Sequence, residues 1–124
     1  MRKKKILLVD DEPSFTRVLK LCLENTGSYE VREENKGTMA VQAARQFKPD
    51  LILLDVVMPD IDGGEVASTI MADEALKNTP IVFLTAAVAK DEEGVISGYP
   101  FIAKPVNSDE VIDRIEKSLV KSVA

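Results

Sequence analysis

The sequence predicts an α/β protein, a doubly wound five-stranded parallel sheet with helices on both faces, from three observations. Apolar runs at Lys5 to Val9, Leu51 to Leu54 and Ile81 to Leu84 lack the polar alternation of a one-sided sheet, as strands buried on both faces do. Between them the apolar period lengthens to that of an amphipathic helix. Strand and helix then alternate five times over, and parallel neighbours are joined by right-handed crossovers rather than hairpins.

The first helix carries Phe15, Val18, Leu19, Cys22 and Leu23 at helical spacing. Cys22, alone in the chain and therefore without an internal disulfide partner, is expected there as a small core residue. Tyr29 to Glu34 alternates, with Tyr29, Val31 and Glu33 on one face, and reads as an edge strand. Ala40, Ala43, Ala44 and Phe47 mark a second helix, and a third is expected from near Gly63 through Val66, Ile70 and Met71. The stretch from Ala89 to Ser97 holds Asp91, Glu92, Glu93 and Gly94 but few apolar residues, so a short or irregular fourth helix is expected. Phe101 to Ala103 makes the last strand. The final helix carries Val111, Ile112, Ile115 and Leu119, with Asn107 as N-cap and Glu110 as its capping-box partner.

A chain of 124 residues suits one domain, spanning residues 1–124, with a single core. Its apolar and charged fractions, 45% and 30%, are those of ordinary globular proteins. A formal net charge of -5 repels a polyphosphate backbone, and the basic run Arg2 to Lys5 is short, so direct nucleic-acid binding is not expected. The apolar run Ile6 to Val9 is too short for a signal peptide or membrane span, which points to a cytoplasmic protein without a membrane partner. With no histidine in the chain, chemistry rests on carboxylates, hydroxyls and lysines.

In open parallel sheets the ligand site lies beyond the carboxyl ends of the strands. Those ends carry Asp10 and Asp11, then Asp55, Thr85, and Lys104 followed by Pro105. Singly, such residues are turn formers, caps or solvated charges. Together they match chemically. Carboxylates converging within several ångströms repel by roughly 3 kcal/mol per pair at an effective dielectric of about 20, so a proton or a cation is expected among them. Hard oxygen donors without histidine or thiolate favour Mg²⁺, or Mn²⁺, either of which takes a phosphate as a further ligand. Asp55 then suits in-line attack as a carboxylate nucleophile, with Lys104 neutralising charge and Thr85 bonding a phosphoryl oxygen.

At Val9-Asp10-Asp11-Glu12-Pro13, Leu54-Asp55-Val56-Val57-Met58-Pro59, Asp62-Gly63, Thr85-Ala86 and Lys104-Pro105 the chain resembles the receiver domains of bacterial two-component response regulators, over nearly its whole length. The resemblance implies a flavodoxin-like (βα)5 fold of strand order 2-1-3-4-5. It implies that Asp55 is the phosphoacceptor, and that Asp11, Asp55 and the backbone carbonyl of Val57 bind Mg²⁺ directly while Asp10 acts through a water. It further implies that Lys104 holds the phosphoryl oxygen and that a cis bond before Pro105 aims it, with Pro59 and Gly63 as structural positions. The donor would be a sensor histidine kinase or a histidine phosphotransfer protein, and the phosphoryl group would change affinity for an output partner. Such a domain is no ordinary enzyme; it catalyses its own aspartyl phosphorylation and slow dephosphorylation.

Phosphorylation draws Thr85 toward the new charge in this family, and an aromatic side chain turns inward behind it. That position is Phe101, so the switch would work by packing rather than through a tyrosine hydroxyl. The side chains expected to position a hydrolytic water are Val57 and Ala87, neither of which hydrogen-bonds, so slow self-dephosphorylation is expected. Small Ala86 leaves the donor an open approach. A haloacid-dehalogenase-type phosphatase is disfavoured because valine occupies position 57, where that chemistry needs a second aspartate. A nucleotide-binding domain is disfavoured because the first turn is acidic rather than glycine-rich. The remaining alternative is a receiver-like interaction module acting without phosphorylation.

Overall fold

Strand β1 (Lys4–Val9) is fully buried from Ile6 onward. It runs between β2 (Tyr29–Glu34) and β3 (Leu51–Asp55), parallel to both. Next to β3 come β4 (Ile81–Thr85) and then β6 (Tyr99–Ala103), again parallel. The computed structural model describes residues 2–86, 95–96 and 99–123. Within them the expected five-stranded parallel sheet is present in the order 2-1-3-4-5, with β6 in the fifth place. One addition was not foreseen: β5 (Val95–Ile96) pairs antiparallel with Tyr99 and Pro100 at the outer side of β6. The two segments are close enough in sequence for hairpin pairing, which needs only a two-residue link. The rest of the expected fourth-helix stretch, and Ala87, lie outside the described residues.

Helices α1 (Pro13–Glu24) and α4 (Ser108–Val123) cover one face of the sheet, where Leu19, Leu23, Val111 and Ile115 meet Ile6, Leu8, Leu53 and Leu84. Helices α2 (Ala40–Phe47) and α3 (Gly63–Met71) cover the other, where Ala40, Ala43, Ala44, Val66 and Ile70 meet Leu7, Val9, Ile52 and Leu54. Consecutive residues of β1 therefore feed opposite cores, which is why its sequence shows no polar alternation. The edge strand β2 does alternate: Tyr29 and Val31 are buried on the face toward α1. The Tyr29 hydroxyl donates to the Glu116 carboxylate of α4, and burial with that acceptor raises its pKa.

Cys22 departs from its expected place, because it is exposed rather than in the core. The buried stripe of α1 is Thr16, Leu19 and Leu23. At 3.6 residues per turn Cys22 sits about a quarter turn off the centre of that stripe, and Val18 lies further round, in solvent. Asn107 caps α4 as expected, its side-chain oxygen accepting from the Glu110 amide at 2.7 Å. Helix α3 begins at Gly63 because nothing larger fits. A Cβ there would meet Val56 Cα at 2.8 Å and also the Asp55 carbonyl oxygen, while the Gly63 amide donates to Val56 O at 2.7 Å.

Candidate phosphoryl-acceptor site

The register brings the chemistry to one rim. Val9 is level with Leu54, so Asp10 and Asp55 follow side by side at the ends of adjacent strands. Asp55 is level with Leu84, and Thr85 with Ala103. Lys104 follows at once, its amide donating to Thr85 O at 2.8 Å. Between β1 and β3 the chain departs in opposite directions, to β2 on one side and β4 on the other, which leaves the crevice where open sheets bind ligands. The peptide bond between Lys104 and Pro105 is cis, as expected.

Single oxygens of Asp10, Asp11 and Asp55 lie within 4.8 Å of one another. Asp10 is fully buried and Asp55 nearly so, while Asp11 is half-buried at the mouth. Lys104 Nζ donates to Asp10 Oδ2 at 2.7 Å and lies 3.9 Å from Asp55 Oδ2. Burial pushes the Asp55 carboxyl up to about 7, helped by the charge of Asp10 and the carboxyl of Asp11, against the pull of Lys104 and the Val57 amide. Asp10 is raised as well, by burial first, with Lys104 and the Glu12 amide opposing. Burial works against the charge on Lys104, but its bond to Asp10 and the charge of Asp55 outweigh that and hold it above the usual ammonium range. Asp10 and Asp55 thus share one ammonium, with Asp11 close by, and the carboxyl of Asp55 is short of positive charge.

Such a donor set, all hard oxygen and lacking positive charge, fits a small divalent cation better than a soft one. Thr85 is buried at the end of β4, and Ala86 beyond it is exposed. Phe101 does not lie on the rim; it is buried in the core below, level with Phe83. Phe83 in turn meets the Tyr99 ring edge-on at 5.4 Å. Val57 is on the loop after β3, largely exposed, and Pro59 is exposed further along.

Several contacts escaped the sequence reading. Glu12 Oε1 lies 3.4 Å from Lys104 Nζ, and the ring of Phe15 sits 4.7 Å below the same nitrogen. Asn35 donates to the Asp10 carbonyl at 2.8 Å and to Thr16 at 3.0 Å. The sequence carried no signal for these contacts, since the apolar period of the first helix passes over Thr16.

The family model of the response regulator receiver domain matches residues 6–116. This chain therefore belongs to the response regulator receiver domain family. It is 32% identical over 119 residues to the polar-differentiation response regulator DivK of Brucella ovis, covering 94% of this chain and 96% of that protein. The solved structure of the chemotaxis protein CheY4 of Vibrio cholerae superposes with a TM-score of 0.82 at 28% identity, over 94% of this chain and 99% of that one. A sensor protein from Polaromonas has the same fold, with a TM-score of 0.86 at 20% identity over 98% of this chain and 99% of that one. No helix among the described residues is long and apolar enough to cross a membrane.

Proposed function

We propose that this receiver domain is a cytoplasmic phosphorylation switch in which Asp55 takes a phosphoryl group from a phosphohistidine on a sensor kinase or phosphotransfer protein. The observation that carries the reading is the buried Asp55 carboxyl at the tip of β3, grouped with Asp10 and Asp11 and within 3.9 Å of the Lys104 ammonium. An Asp55 oxygen attacks phosphorus in line, the acyl phosphate P–O bond forms as the P–N bond breaks, and the departing imidazole keeps the bonding pair. A Mg²⁺ or Mn²⁺ ion would be held by Asp11, Asp55 and the Val57 carbonyl, with Asp10 acting through a water. When bound it supplies charge neutralisation for the transferring oxygens. Lys104 turns from Asp10 toward a phosphoryl oxygen, and the buried Thr85 hydroxyl bonds another. Phe101, already packed inside, follows Thr85 by repacking, and the altered surface changes affinity for an output partner.

Acetyl phosphate with Mg²⁺, read by intact mass, tests this directly. The expected result is one added phosphoryl group on the wild type, none on Asp55→Asn, and none when Mg²⁺ is omitted; Lys104→Ala is expected to slow uptake while still binding the ion. Wild type that stays unmodified, with phosphohistidine donors also tried, would instead identify an interaction module that works without phosphorylation.

A further inference from the structure

A polar relay runs behind the acidic pocket, away from its open side. Strand β1 pairs with β2 as far as Val9 and Glu34, and one more backbone rung follows, from the Asp10 amide to Glu34 O at 3.1 Å. In a continued parallel ladder a backbone amide of β2 would bond the Asp10 carbonyl next. Here a side chain makes that bond: Asn35 Nδ2 donates to Asp10 O at 2.8 Å. The second hydrogen of the same amide goes to Thr16 Oγ1 at 3.0 Å. A carbonyl only accepts, so the nitrogen of Asn35 must face Asp10.

Thr16 is fully buried on the inner stripe of α1. Its single hydroxyl proton has two acceptors in reach, Glu33 Oε2 at 2.7 Å and Pro13 O at 3.2 Å. The shorter contact is to a carboxylate, the stronger acceptor. Glu33 is held in turn by Arg17 Nε at 3.2 Å. The donors diverge from Asn35: one amide hydrogen goes to the Asp10 carbonyl and the other to Thr16, whose own proton goes on to Glu33, where Arg17 also donates. The bonds from Asn35 through Thr16 to Glu33 are in series and polarise one another in a low-dielectric setting, which anchors the Asn35 amide.

We propose that Asn35 is a positioning residue for the acidic pocket: anchored through Thr16 to Glu33, it fixes the peptide between Asp10 and Asp11 and so sets the spacing of the cation-binding carboxylates. Both faces of Asp10 are then tied to the end of β2, its amide by Glu34 and its carbonyl by Asn35. The peptide so held is the one that aims the Asp11 side chain at Asp55. This inference rests on the reading of Asp11 and Asp55 as cation ligands.

Mn²⁺ binding, followed by the electron paramagnetic resonance signal of the free ion, tests it with wild type, Thr16→Val, Thr16→Ser, Asn35→Ala and Asp11→Asn. Valine keeps the shape of threonine without its hydroxyl, and serine keeps the hydroxyl. Loss of an outer partner of a ligating group typically weakens metal affinity by at least tenfold. Thr16→Val and Asn35→Ala are each expected to bind Mn²⁺ roughly tenfold more weakly, and Thr16→Ser to bind as wild type does. Equal affinity of wild type and Asn35→Ala would overturn the proposal, and so would a Thr16→Ser protein as weak as Thr16→Val, since packing alone would then explain both. If Thr16→Val does not fold, Asn35→Ala, on the half-exposed loop after β2, decides the matter. Wild type that takes up no Mn²⁺, or an Asp11→Asn protein that binds it unchanged, would instead overturn the cation reading together with this inference built on it.

Discussion

Val57 stands two residues beyond Asp55 with 65% of its surface exposed, and an isopropyl group neither donates to nor accepts from water. In the reading proposed for Asp55, the acyl phosphate is hydrolysed by a water that needs orienting as well as proximity. The phosphorylated protein is accordingly expected to outlast minutes of incubation, and Val57→Asn to shorten that lifetime, both measured by loss of the added mass after the phosphodonor is removed. Decay within seconds in the wild type would show that some other group orients the water. Asp10, Asp11, Asp55, Thr85 and Lys104 could be named from the chain because each lies at or just beyond the carboxyl end of a strand, where the fold class puts ligand chemistry. Glu12, Phe15 and Asn35 could not, since their contacts to the site depend on how a helix and a loop settle against it.

Helix α1 and strand β2 are tied together by Glu33, which accepts from Thr16 and Arg17 of the helix. Burial tends to raise the Glu33 carboxyl, but those two donors outweigh it and hold the group below its ordinary value of 4.5. A lowered folded-state pKa stabilises the protein above the unfolded value and ceases to do so as pH falls through the folded one. The stability difference between wild type and Glu33→Gln is therefore expected to be about 1 kcal/mol and level near neutral pH. It should shrink below pH 4.5; urea unfolding at a series of pH values measures it. The same helix shows where periodicity misleads. Val18 and Cys22 satisfy an apolar helical spacing yet face solvent, whereas the polar Thr16 is buried. Apolarity alone does not set the phase of a helix when a hydrogen-bonded hydroxyl satisfies the buried side at similar cost.

Across the molecule, a ligand that binds only the folded state raises stability by mass action, by about 2.7 kcal/mol at a concentration one hundred times its dissociation constant. Mg²⁺ at that excess is expected to raise the melting temperature of the wild type and to leave Asp11→Asn unchanged, a comparison made by circular dichroism melts with and without the ion. The strand order was implied by the resemblance to receiver domains, whereas the alternation of apolar runs with helical periods, and the acidic and basic residues at strand ends, were enough to reach the parallel sheet and the composition of its rim. Those are consequences of local pattern and chain connectivity, since a parallel strand buried on both faces leaves a recognisable run and a crossover rule limits how such runs connect. The antiparallel strand Val95–Ile96, the exposed setting of Cys22 and the side-chain rung from Asn35 to Asp10 came from folding alone. The first is a pairing at the sheet's outer edge in a stretch with little apolar pattern, and the other two depend on a helix's rotation about its axis or on contact between segments distant in the chain; a linear pattern of residue types carries none of these.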